Sequence, residues 1–180
     1  MYIFLERGDG FFGGGFDFHL FIHSHAVRSA ATPDARRQVA GAAPIAVTSV
    51  HLTSGRNPGV RRRQLQAIYG HTADCSTSLV VGDMNACVPA EDDRAVTCAG
   101  FADVWPVLNP GVSGATRHSH RLDRAALRSG EFTPSSMSIV GGKRVPGTTG
   151  TISDHLGTFV TIRRSAAGTS RSSPCNHDTG

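Results

Sequence analysis

The run Ser78-Leu79-Val80-Val81-Gly82 constrains this chain more than any other segment, because it is apolar on consecutive residues. A strand with one wet face alternates apolar and polar residues. A short continuous run fits a strand covered on both faces. Asp83, Met84 and Asn85 come straight off its end. A carboxylate placed there is held rigidly. The amide of Asn85 can donate hydrogen bonds to a phosphate oxygen, and Gly82 lets the backbone turn sharply. Asp-x-Asn is also a common turn signal, but the buried strand before it favours a functional reading.

The rest of the chain alternates in the same manner. Residues 15–22 and 45–52 read as strands, the second ending at His51-Leu52. Residues 60–71 read as a helix with Leu65, Ile68 and Tyr69 on one face. Of the three arginines that precede that face, Arg61, Arg62 and Arg63, at least two are expected to be solvated. Residues 28–43 are a polar loop or an eroded strand. A second strand–helix alternation follows Asn85, with a helical turn within 101–108 and strands at 122–128, 136–140 and 157–163. Residues 1–14 are poorly patterned, and 165–180 form a tail too polar to pack. Strands alternating with helices imply a layered α/β or α+β domain over residues 15–164.

Composition narrows the class only slightly. The formal charge is +4, carried almost wholly by arginine, with Lys143 the single lysine. Arginine suits phosphate but is also abundant for unrelated reasons, and the charge is far from that of a dedicated nucleic-acid binder. Cys75, Cys87, Cys98 and Cys175 form no CxxC pair and read as reduced. No 18-residue apolar run spans a membrane, and Met1–Leu5 lacks the flanks of a secretory signal. The expectation is an intracellular protein without a membrane partner.

Three further constellations sit at strand ends. His51-Leu52-Thr53-Ser54-Gly55-Arg56 offers an imidazole, a hydroxyl and a guanidinium within six residues. Arg121-Leu122-Asp123-Arg124 opens a strand and by itself reads as a charged edge. Ser153-Asp154-His155 precedes the last strand. Neighbours in a strand point to opposite faces, so Asp154 and His155 would meet different partners.

The order of these pieces is more specific than any one of them. Strand-His51-Leu52, Arg63-Gln64-Leu65, Gly82-Asp83-Met84-Asn85, Asp103-Val104-Trp105, Arg121-Leu122-Asp123-Arg124 and Ser153-Asp154-His155-Leu156-Gly157 follow one another at domain-like intervals. This resembles the endonuclease/exonuclease/phosphatase superfamily, most closely its tyrosyl-DNA phosphodiesterase branch, over residues 44–163. The resemblance implies an α+β, DNase I-like layered sandwich: two packed, mostly antiparallel sheets flanked by helices, with the N-terminal part incomplete. It implies a Mg²⁺-dependent (or Mn²⁺-dependent) phosphodiesterase acting on single-stranded DNA with a 5′-phosphotyrosyl end, in DNA repair and in the nucleus rather than the cytoplasm.

The resemblance also implies roles for individual residues. Asp83 activates or orients water, and Asn85 holds a non-bridging phosphate oxygen. His155 stabilises charge on the phosphate, with Asp154 as the carboxylate beside it. His51 and Ser54 contact the phosphate, with Arg56 in the same cradle. Trp105 and Asp123 line the DNA groove. The family's early asparagine strand and its Leu-Gln-Glu metal motif are not recognisable here; Glu6 in Ile3-Phe4-Leu5-Glu6 is the candidate metal ligand. Thr116-Arg117 stands where a Thr-Trp pair is expected. Other readings are an AP-endonuclease-like or DNase-like nuclease, a phosphatase, or a truncated non-catalytic remnant.

Overall fold

The computed structural model describes residues 17–22, 35–37, 45–142, 146–147, 151 and 153–165. Among the described residues, eight strands and three helices run in the order β1 (Asp17–Ile22), β2 (Ala35–Arg37), β3 (Ile45–His51), α1 (Pro58–His71), β4 (Thr77–Asp83), α2 (Pro89–Val96), β5 (Ala102–Asp103), α3 (Val104–Leu108), β6 (Asp123–Ser129), β7 (Phe132–Val140) and β8 (Gly157–Arg164). They form a three-stranded sheet, β1-β8-β7, and a five-stranded sheet, β2-β3-β4-β6-β5. Every pairing is antiparallel except β3 with β4. That parallel pair needs a crossover, and α1 supplies it. The architecture is the two-sheet α+β sandwich the sequence implies.

The apolar run of β4 explains why the layers assemble. All seven of its residues are buried. Leu79 and Val81 pack between the sheets with Ile45, Ala125, Leu127, Phe132, Met137, Val160 and Ile162. Val80 points the other way, into a second core made with Val50, Leu65, Tyr69, Ala95, Val96 and Ala126. A strand alternates its faces, so one continuous apolar run feeds both cores. The helical layer is closed by Tyr69, stacked on Phe101 at 3.9 Å between ring centroids. Its hydroxyl donates to the Val96 carbonyl at 2.8 Å, which satisfies the buried phenol.

Several expectations are adjusted. Of the arginine triplet, Arg62 and Arg63 are exposed as expected, but Arg61 is buried. Trp105 does not line a groove. It belongs to the core between the sheets and is 7% exposed. Its indole N–H donates to the Val112 carbonyl at 2.9 Å. Gly114 lies so close over the ring that a Cβ there would fall 2.3 Å from the indole nitrogen. The α3 turn faces the second sheet, and the following loop covers the ring, so no stacking face is left for a base. The motif Arg121 to Arg124 is not an exposed edge, because Leu122, Asp123 and Arg124 are all buried. Glu6 and most of the expected tail lie outside the described residues.

One glycine is required where β4 leaves the sheet. Gly82 has φ +133°, and a Cβ there would come 2.2 Å from the Val50 carbonyl oxygen of the neighbouring strand. Backbone cannot yield as a flexible side chain does. Gly82→Ala is therefore expected to lower stability by about 3 kcal/mol. Gly70, in α1 with open space around it, is the contrasting position. Gly70→Ala is expected to raise stability by about 0.4–1 kcal/mol. Urea denaturation of the two variants checks both signs.

Candidate active site

Register and parity assemble the site. In the parallel ladder His51 pairs with Asp83; in the antiparallel ladder Asp83 pairs with Asp123. The three residues thus occupy one row at one end of three neighbouring strands. Their parity is that of Leu79 and Val81, of Ala125 and Leu127, and of Ile45, all of which face the second sheet. The row of apolar side chains between the sheets ends in an imidazole and two carboxylates. The second sheet closes the site from the other side, because His155 lies just before β8.

The contacts are short. His155 Nδ1 lies 2.8 Å from Asp123 Oδ2. Ligand atoms of Asp83, Asp123 and His155 all fall within 4.8 Å of one another. His51 Nε2 lies 3.5 Å from Asp83 Oδ2. The Asn85 backbone N–H donates to Asp83 Oδ1 at 2.9 Å, and its side-chain NH₂ donates to the Leu52 carbonyl at 2.8 Å. Asn85 takes a left-handed backbone, φ 49°, which asparagine tolerates better than most residues. That conformation turns the chain back so that one residue touches both the carboxylate and the loop after β3.

The sequence-derived set is thus partly gathered and partly rearranged. His51, Asp83, Asn85 and His155 meet. Asp123, expected in the groove, stands inside the site as the carboxylate on His155. Asp154 does not hold that place. Its side chain is 70% exposed and pairs with Arg117 at 2.8 Å, since adjacent residues diverge. Ser54 and Arg56 are exposed on the loop that leaves β3.

Two supports were named from the sequence only as motif positions, with no role assigned. The buried Thr116 hydroxyl accepts the N–H groups of Leu122 and Asp123 at 3.1 and 3.0 Å, and its carbonyl accepts from Leu156 N–H at 2.8 Å. One residue therefore ties the β6 and β8 approaches together beside the Asp123–His155 pair. Asp103 accepts from Arg121 at 2.8 and 2.7 Å and from Arg124 at 3.0 Å, which anchors the start of β6. A threonine in a loop and charges in an edge-like motif carry no sequence signal for such roles.

The electrostatics of Asp83 follow from this placement. Burial pushes its carboxyl above the usual range, the N–H of Asn85 opposes that, the nearby Asp123 adds to it, and His155 and His51 oppose it. Two buried carboxylates facing one another suit a cation. His155 Nδ1 is engaged with Asp123; the two carboxylates supply oxygen donors, the type that Mg²⁺ or Mn²⁺ takes, with one or two carboxylates completed by phosphate and water. The residues present fit such an ion.

The comparisons agree with this geometry at the level of fold. No protein-family model matches the sequence, and no curated protein matches it significantly. Among solved structures, D. rerio TDP2 complexed with a single-strand DNA product superposes with TM-score 0.61 at 21% identity, covering 82% of this chain and 62% of that one. A humanized D. rerio TDP2 gives TM-score 0.61 at 24% identity, covering 72% and 58%. An endonuclease/exonuclease/phosphatase from Bacteroides vulgatus gives 0.51 at 16%, covering 68% and 51%. The chain shares the fold of these solved structures, TDP2 and an endonuclease/exonuclease/phosphatase among them. It spans about three fifths of the length of the TDP2 chains.

The raised pKa of Asp83 carries a sign. Folding favours its neutral form, so the stability it contributes is full below the unfolded value of about 3.9. That contribution is lost as pH rises through the folded value. Asp83→Asn removes the cost of the buried charge. In a chelator at pH 7 the variant is expected to melt at or above the wild-type temperature, with the difference shrinking toward pH 4. Thermal melts across that range check it, and a lower melting temperature for the variant at pH 7 contradicts the assignment.

Proposed function

We propose that this chain carries the phosphate site of a divalent-metal-dependent phosphodiesterase that hydrolyses 5′-phosphotyrosyl ends of DNA. The observation that supports the reading is the meeting of His51, Asp83, Asn85, Asp123 and His155 at one end of the sandwich. Asp83 orients and deprotonates the attacking water; a carboxyl raised by burial is a stronger base than an exposed one. Asn85 spends one side-chain N–H on the Leu52 carbonyl and offers the other to a non-bridging oxygen. Asp123 fixes the ring of His155 through Nδ1, so Nε2 is directed outward, where with both ring nitrogens protonated it donates to charge that develops on the phosphate. His51 stands at the edge of the same space beside Asp83. Mg²⁺ or Mn²⁺, held by Asp83 and Asp123, would neutralise phosphate charge as a Lewis acid. Glu6 is retained as a further proposed ligand on sequence grounds alone.

The DNA part of the proposal draws support from the fold shared with TDP2, one structure of which holds a single-strand DNA product. Ser54 and Arg56, exposed on the loop after His51, are proposed as the phosphate cradle. A second reading, a nuclease or phosphatase of the same superfamily, is favoured by the burial of Trp105. That burial removes the one base-stacking surface expected for a single strand. The nucleus remains the proposed compartment, and no helix of the described residues is long and apolar enough to cross a membrane.

The test is to incubate the protein with Mg²⁺ or Mn²⁺ and, separately, a 5′-tyrosyl oligonucleotide, an abasic duplex and a simple phosphate monoester. Release of tyrosine from the first alone supports the proposal, and cleavage of either other substrate alone moves the assignment to the second reading. Turnover is expected to fall about 10²–10⁴-fold in His155→Gln and in Asp83→Asn. No hydrolysis of any substrate with either ion contradicts the enzyme reading.

A further inference from the structure

Arg61 stands in the first turns of α1, 1% exposed, where an arginine needs an explanation. Its Nε and Nη2 donate to the two oxygens of Asp92 at 2.8 and 2.7 Å, a bidentate pair. Its Nη1 donates to the carbonyls of Thr53 and Gly55 at 3.2 and 2.5 Å. Its Nη2 also reaches the Cys87 sulfur at 3.9 Å, and that thiol donates to the Gly55 carbonyl at 3.3 Å. Asp92 Oδ2 in turn accepts the Val88 N–H at 2.8 Å. Gln64, in the next turn, accepts the Thr53 N–H at 3.1 Å.

Apart from the Arg61–Asp92 pair itself, which joins α1 to α2, these bonds end on two loops. One runs from Leu52 to Asn57, after His51; the other runs from Met84 to Val88, after Asp83. The first carries Ser54 and Arg56, and the second carries Asn85. A buried ion pair contributes little net stability, because desolvation offsets the attraction. Stability alone therefore does not account for it. A planar fork of five donors, however, can hold several acceptors at fixed angles, which a lysine cannot.

We propose that Arg61, with Asp92, is a positioning clamp that locks the loop after β3 to the loop after β4. It sets Ser54 and Arg56 at a fixed distance from Asn85. Its consequence for catalysis rests on the phosphodiesterase reading; the coupling of the two loops does not.

Backbone amide exchange tests the coupling directly, on wild type and on Arg61→Lys, which keeps the charge and loses the fork. Residues 52–57 and 84–88 are expected to exchange faster together, by about tenfold or more, while the β7–β8 hairpin keeps its wild-type rate. Faster exchange in one loop alone, or an equal rise through the whole chain, overturns the clamp. Should Arg61→Lys fail to fold, Arg61→Met combined with Asp92→Asn is measured instead. That pair strands no buried charge and keeps an acceptor for Val88.

A kinetic cycle tests the consequence. Arg61→Lys is expected to lower kcat/KM in the wild-type background and to add almost nothing once Ser54→Ala and Arg56→Ala are present. Losses that add in full overturn a role through that loop. If wild type shows no turnover, the functional reading fails by itself, and the exchange rates still decide the clamp.

Discussion

Two buried carboxylates on facing positions of neighbouring strands set the terms for everything near them. Asp83 and Asp123 are paired by register, and both are buried. Like charges at such a spacing repel, and burial strengthens the repulsion. The protein meets this with His155 on Asp123, His51 near Asp83 and a backbone N–H on Asp83. Burial is the main cause that pushes the Asp83 carboxyl up, and Asp123 adds to it. Two buried carboxylates at this spacing are the basis of the proposed cation site.

The scaffold holds that arrangement with rigid parts. β3, β4 and β6 fix three of the side chains, because register in a ladder with two buried faces cannot slip without inverting every residue. Gly82 allows the close approach of two strands where Asp83 emerges. Around the row, buried charged residues hold the chain where it leaves the strands: Arg61 with Asp92 on one flank, Asp103 with Arg121 and Arg124 on the other. Each is far better satisfied than a surface pair, and each ends on backbone or side chains next to a site residue.

What could be read from the chain follows from how local each signal is. The run at 78–82 exposes β4, and the strand end at His51 is visible in residues 45–52, so Asp83, Asn85 and His51 were legible. The two-sheet α+β architecture was also legible, from alternation and from the order of motifs. Asp123 was named but placed in a groove, because its true neighbour, His155, is 32 residues away, and no local pattern encodes that pairing. Trp105 was misplaced for the same reason: whether an aromatic residue meets solvent or the second sheet depends on packing between distant strands. Helix α2 had no legible bounds, since its buried apolar residues are only Ala95 and Val96. Asp92 was not singled out from the sequence, and Arg61 was one of three arginines of which at least two were expected to be solvated. A buried salt bridge between two charge runs leaves no trace in composition.

The central claim is that a divalent ion and a phosphate share one space bounded by His51, Asp83, Asp123 and His155. NMR of the histidine ring protons during titration with substoichiometric Mn²⁺ tests it most directly, because paramagnetic broadening reports distance from the ion. The account predicts that His51 and His155 broaden first. His71, at the far end of α1, should stay sharp, and Asp83→Asn should abolish the effect. Equal broadening of His71, or none at His155, would contradict it.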